Sequence, residues 1–175
     1  MKQTQKYLVL FALTLWLLPG ATQVVQAQQG NFAINGDISD AWYDPDTSGQ
    51  GFFIIVWEDI ETIFLSWFTY DVERPAANVT ARLGEPGHRW LTAQGPYSGN
   101  KATLTAWLTA GGVFNASQPP PAASQQIGTV TITWTSCNAG LLKYEFTGGR
   151  SLSGEIPIQR VLLDNVPSCE NRAGP

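Results

Sequence analysis

Histidine occurs once in this 175-residue chain, cysteine twice, and charged side chains make up only 14% of it. One histidine, His88, and two distant cysteines, Cys137 and Cys169, leave too few ligands for a clustered metal centre and argue against a catalytic thiol. No apolar run reaches the roughly 18 residues that a membrane-spanning helix needs. No G-x-S-x-G block frames a serine nucleophile. Past residue 27 no helical periodicity of useful length appears. Nothing in the sequence calls for a cofactor.

The first 27 residues read as an export signal. Lys2 and Lys6 form a basic start and an apolar stretch of about a dozen residues follows. Pro19 and Gly20 break it, and Val25-Gln26-Ala27 offers small residues at a cleavage site. No cysteine lies near that site, which argues against a lipid anchor. The expected organisation is a signal peptide over 1–27 and a single β domain over 28–175, in a secreted or periplasmic protein. Losing Lys2 and Lys6 from 10 basic residues leaves 8 against 14 acidic ones, which moves the net charge from −4 to −6. An acidic surface of this kind argues against nucleic acid and anionic membranes as partners.

The remaining chain alternates strand patterns with turns. The block at 42–58, WYDPDTSGQGFFIIVWE, runs from an aromatic pair through an Asp/Pro/Gly turn into a short apolar run. Strands are expected at 41–44, 52–57, 62–70, 89–94, 101–109, 129–135, 141–146 and 152–161. The second and third are apolar on both faces and read as central, doubly buried strands. Gly95-Pro96 is expected to end the fourth. In the fifth, Ala102, Leu104, Ala106 and Leu108 alternate with Thr103, Thr105, Trp107 and Thr109, the period-two mark of a half-buried antiparallel strand. Pro157 in the last strand points to an edge or a bulge. About eight strands joined mostly by short turns make an all-β, antiparallel, up-and-down meander, closed as a barrel or split into a two-sheet sandwich. Two connections, 71–88 and 111–128, exceed hairpin length and are functional or flexible.

The two cysteines are expected to pair in an oxidising compartment. Such a bond closes a loop of about 33 residues and contributes on the order of 3 kcal/mol in the chain-entropy estimate, tying the tail 164–170 onto the sheet.

Candidates for function are few. Asp44, Asp46 and Ser48 follow the opening of a calcium loop, but Ile55 stands where the bidentate glutamate belongs. An ordinary Asx/Gly turn is the simpler reading. His88, or the Asp71/Glu73 carboxylates, could serve a hydrolase acting on a polymer, although no motif frames them. The aromatics say more. Trp134 shares a face with Val130 and Ile132 and reads as core. Trp107 lies among threonines, Thr105 included, and Trp90 shares a face with Thr92 and Gln94. An indole flanked by hydroxyl and amide groups suits a sugar ring or another flat amphipathic ligand. Trp90, Trp107, Thr105 and nearby Tyr97 are therefore the candidate ligand-binding residues, the alternative being that these rings only pack. The functional expectation is a non-enzymatic module binding a small molecule, glycan or partner protein. Its rivals are an extracellular hydrolase and an outer-membrane barrel, the latter poorly matched by threonine-rich strand faces.

Several blocks occur in order: WYDPDTSGQGFF, then FLSWFTYD from Phe64, GHRWLTAQGPYSG from Gly87, GGVF from Gly111, SCNAG from Ser136 and DNVPSCE from Asp164. In these the chain resembles a group of secreted, functionally uncharacterised proteins of Gram-negative bacteria, marked by W-Y-x-P-x-x-S-G-Q-G-F followed by W-[FY]-T-Y-D. The resemblance spans about 34–170 and implies export and one β domain, with no activity or catalytic residue to carry over. A fainter likeness to the avidin and lipocalin barrels rests on the Gly-rich start after a Trp and on the strand count.

Overall fold

Eight strands follow one another along the chain: Asp40–Tyr43 (β1), Gly51–Trp57 (β2), Thr62–Tyr70 (β3), His88–Ser98 (β4), Lys101–Leu108 (β5), Gln125–Ser136 (β6), Ala139–Phe146 (β7) and Leu152–Arg160 (β8). The computed structural model describes residues 32–84, 86–148 and 151–173, so the expected signal peptide lies outside the described residues. Each strand pairs antiparallel with the next, and β8 returns to β1 through Trp42↔Arg160 and Tyr43↔Gln159. The result is a closed up-and-down barrel, not a sandwich. The β1–β8 ladder is only those two pairs, so Pro157 lies beyond it and removes no hydrogen bond from the seam.

Alternation puts one face of every strand inside. Ile54, Ile63, Leu65, Leu104, Ile132 and Leu142 are almost wholly buried there. An eight-stranded barrel is just wide enough for side chains to fill, and here they do. Phe52, Trp67, Tyr144 and Phe146 form an aromatic cluster within it, with ring centroids 5.1–5.9 Å apart.

Because strands alternate in direction, connections fall at two ends. At one end the turns are tight, and a 3-10 turn at Gly36–Ile38 packs against the helix Val166–Ala173 (α1). Cys169 of α1 is buried and bonded to Cys137 in the β6–β7 turn. The expected disulfide and its tethering role are therefore present. The opposite end carries 44–50, the long connections 71–87 and 109–124, and the β7–β8 connection.

Four expectations change. First, the tail is helical. Val166, Cys169 and Ala173 share a face, but eight residues are too few for the period to stand out, and Pro167 is compatible with a first turn. Second, β4 runs on through Gly95 and Pro96 to Ser98. A Cβ at Gly95 would lie 2.3 Å from the Thr103 carbonyl oxygen, so this glycine permits a close approach of β5 and does not end the strand. Pro96 falls where the β4–β5 ladder skips from Gln94↔Thr105 to Tyr97↔Ala102. Third, β6 starts four residues before 129, at Gln125. Fourth, β2 and β3 are buried on one face only: Phe52, Ile54 and Val56 point inward, while Phe53, Ile55 and Trp57 are 55%, 43% and 41% exposed. A barrel wall has one inside, and among the described residues no second layer covers these strands.

Candidate functional site

The outer face of β2–β5 gathers the exposed aromatic residues of the wall. Register sets its rows. Gly51 lies opposite Phe68, which lies opposite Trp90. In the next row Phe53, Ser66, Thr92 and Trp107 are successive neighbours. Beyond it come Ile55, Phe64, Gln94 and Thr105. The outward positions of β2 and β3 carry no charged side chain. Phe53 and Phe68 meet edge to face at 5.5 Å, and Trp57 and Phe64 lie 6.2 Å apart.

Trp90 and Trp107 stand on this face as expected, 49% and 36% exposed. Trp107 pairs with Thr92, so the two indoles are diagonal neighbours across adjacent strands, with Cα atoms about 7–8 Å apart. Thr92 lies between the two indoles, and half-buried Thr105 pairs with Gln94 on the far side of Trp107, which brings hydroxyl and amide groups next to that ring.

A β-bulge in β6 lies beside Trp107. The β5–β6 register passes from Ala106↔Gly128 to Trp107↔Gln126, leaving Ile127 as the extra residue. Gly128 adopts φ +152°, and a Cβ there would lie 2.0 Å from the Glu145 carbonyl oxygen, so only glycine fits.

Tyr97 does not join the group. It falls on the inward face of β4 near the helix-capped end, packed against the core. Burial pushes its hydroxyl above the ordinary tyrosine range, with the Glu58 and Glu61 carboxylates adding to the shift.

Beside Trp90 a shallow cleft of about 310 Å³ is lined by Gly49, Phe68, Thr69, Tyr70, His88 and Arg89. Tyr70 donates to the Gly49 carbonyl at 3.1 Å and holds the 44–50 turn against β3. The His88 ring lies tilted against Tyr70, with centroids 5.5 Å apart. Arg89 pairs with Asp71 at 2.7 Å and donates to the Pro86 carbonyl at 2.8 Å. A wider hollow of about 870 Å³ lies beneath the 71–87 connection.

Hydrolytic chemistry finds little geometry here. His88 lies opposite Tyr70, four residues along β3 from Ser66, which is about 13 Å at strand rise. Ser98 sits at the other end of the same strand as His88. The Asp71 carboxylate is engaged by Arg89. The acidic turn is likewise accounted for: Asp44 is buried and its Oδ1 accepts from the Asp46 amide at 3.0 Å, capping the 3-10 turn Pro45–Thr47 that leads to Ser48. Among the described residues no group of three or more His, Cys, Asp or Glu side chains is placed to hold a metal.

Sequence reasoning missed the aromatic ladder on β2 and β3. Its signal was present as two-sided apolarity. In a meander that closes on itself, a two-sided apolar strand must leave one side outside.

Comparison with family models, curated proteins and solved structures gives no match to this chain. The class defined by the fold is the small closed β-barrel with a packed interior.

Proposed function

We propose that this barrel is an exported, non-enzymatic binding module whose ligand site is the outer face around Trp90 and Trp107. One observation carries the reading: two exposed indoles stand diagonally on neighbouring rigid strands with Thr92 between them and Gln94 and Thr105 beside Trp107. Indole faces supply apolar contact, and the hydroxyl and amide groups supply directional hydrogen bonds, as a glycan or another flat amphipathic ligand requires. The barrel interior is filled by side chains, which favours the outer wall over a calyx-type site.

Export agrees with the disulfide, which persists in the periplasm or outside the cell, and with the signal-like start of the chain. The resemblance to secreted Gram-negative proteins points the same way. A membrane-embedded barrel needs an apolar outer band on every strand. Here β7 and β8 turn Lys143, Glu145 and Glu155 outward, and Lys143 pairs with Glu155 at 2.5 Å on that surface.

Titration with a panel of oligosaccharides, read by tryptophan fluorescence, tests the reading. A saturable response that Trp107→Ala or Trp90→Ala removes supports it. Silence across the panel, or responses indifferent to both substitutions, contradicts it.

A further inference from the structure

The β2–β3 part of the outer wall adjoins the Trp90/Trp107 pair, with Phe68 opposite Trp90, and extends away from it toward β1. Phe53, Ile55, Trp57, Ile60 and Phe68 are each about 40–65% exposed, and Phe64 is half-buried among them. Aromatic side chains each bring roughly 150–250 Å². Five large apolar side chains about half exposed, with Phe64 less so, therefore offer on the order of 500 Å² of apolar surface, within the range of the largest patch a monomer leaves open.

We propose that this face pairs with the same face of a second copy of the chain, forming a two-fold symmetric dimer. Three features select that occupant. Two such faces together would bury on the order of 1,000 Å², the area a specific protein–protein interface must clear. A two-fold contact must be self-complementary, and the chain is acidic overall with a formal charge of −4. An uncharged contact keeps like charges apart, and the outward positions of β2 and β3 provide one, with Asp59 and Glu61 of the adjoining turn at its edge. The rings are also already ordered against one another: Phe53 on Phe68 is edge to face at 83°, and Trp57 on Phe64 is tilted at 36°. Rings set edge-on or tilted in this way do not form the coplanar platform that a sugar surface stacks on. Closure of the barrel leaves little free strand edge, so association through the face is the route open to it.

Strand spacing of about 4.8 Å puts Trp107 three strands, or roughly 14 Å, from β2. A contact centred on Ile55 and Phe64 would leave both ligand faces at its rim and present them side by side, with a gain in avidity toward a repeating polymer.

Sedimentation velocity and light scattering of the mature chain across the micromolar range provide the test. The expected result is a concentration-dependent dimer. Ile55→Glu should raise its dissociation constant by at least about 100-fold, because the contact would desolvate an unpaired carboxylate. Ile55 is already 43% exposed, so this variant keeps the native circular dichroism and the glycan response. Thr131→Glu, outward on β6, should dimerise like the parent. A parent chain that stays monomeric throughout, or that is monomeric and sediments with phosphatidylglycerol vesicles, overturns the proposal. A dimer that survives both Ile55→Glu and Phe53→Glu overturns it as well.

Discussion

The guanidinium of Arg160 lies 4.8 Å from the centre of the Trp42 ring, and both side chains are sealed inside the helix-capped end of the barrel. The same guanidinium donates to the carbonyls of Cys137 and Asp37 and forms an ion pair with Asp40. One planar fork thus joins β8, β1, the β6–β7 turn and the 3-10 turn before β1. Arg160→Met would keep the volume but leave two carbonyls without this donor and the Asp40 carboxylate without its cation, with only the Asn165 and Ala41 amides still donating to it. We predict a loss of about 3–5 kcal/mol in urea unfolding at neutral pH, with Arg160→Lys recovering less than half. A loss below about 1 kcal/mol would show that water satisfies these groups equally well.

The bulge glycine should be intolerant of any side chain. Gly128→Ala would place a methyl group against the Glu145 carbonyl at a backbone angle that L-residues rarely adopt. We predict about 2–4 kcal/mol of destabilisation and a changed near-ultraviolet tryptophan signal as the surroundings of Trp107 shift. Gly99→Ala, also at positive φ but with open space around it, should cost only about 1 kcal/mol.

Breaking the Cys137–Cys169 bond should loosen the cap before the wall. Cys137→Ala with Cys169→Ala is expected to lower stability by about 3–4 kcal/mol. For a chain of this size that is roughly 10 °C in Tm. Hydrogen exchange should rise first in α1 and at Gly36–Ile38, because Cys169 is the buried residue that anchors the helix. Uniform loosening across β4–β7 would contradict that order.

Another anchor of α1 is electrostatic and exposed. Arg172 donates to both carboxylate oxygens of Glu58 at 2.6 and 2.7 Å, and this holds the Glu58 carboxyl below the ordinary glutamate value of 4.5. A depressed folded-state pKa means that the stabilisation is complete above the unfolded value and is lost as the pH falls through the folded one. Glu58→Gln should therefore differ slightly from the parent at neutral pH and match it in strong acid. A carbon-detected titration of Glu58 giving a midpoint at or above 4.5 would contradict this pairing.

The strand count, the up-and-down order, the disulfide and the inward residues of β5 were legible in the sequence because each rests on a local rule. Alternation of Ala102, Leu104 and Ala106 with threonines can mean only a half-buried strand. Closure was not legible: barrel and sandwich share the same alternation, and the two residue pairs that shut the seam, Trp42↔Arg160 and Tyr43↔Gln159, join positions 118 and 116 apart. Gly95-Pro96 misled because the same dipeptide that ends most strands here permits a close strand approach, a long-range fact. The doubly apolar β2 and β3 misled in the opposite direction. Their pattern matches a strand covered on both sides, and only the absence of a second layer, seen in three dimensions, turns Phe53, Ile55 and Trp57 into surface.

For the candidate site, the outward placement of Trp90, Trp107 and Thr105 was legible because aromatic residues on polar faces break the expected pattern. Tyr97 was grouped with them by nearness in sequence, yet odd and even positions on β4 face opposite ways.

The most direct measurement is amide and indole chemical-shift mapping of the isotopically labelled mature chain with the best oligosaccharide from the panel. We predict saturable shifts at the indoles of Trp90 and Trp107 and at the amides of Thr92, Gln94 and Thr105. Shifts confined to Phe52, Trp67, Tyr144 and Phe146 inside the barrel, with the two outer indoles unmoved, would contradict a ligand site on the outer wall.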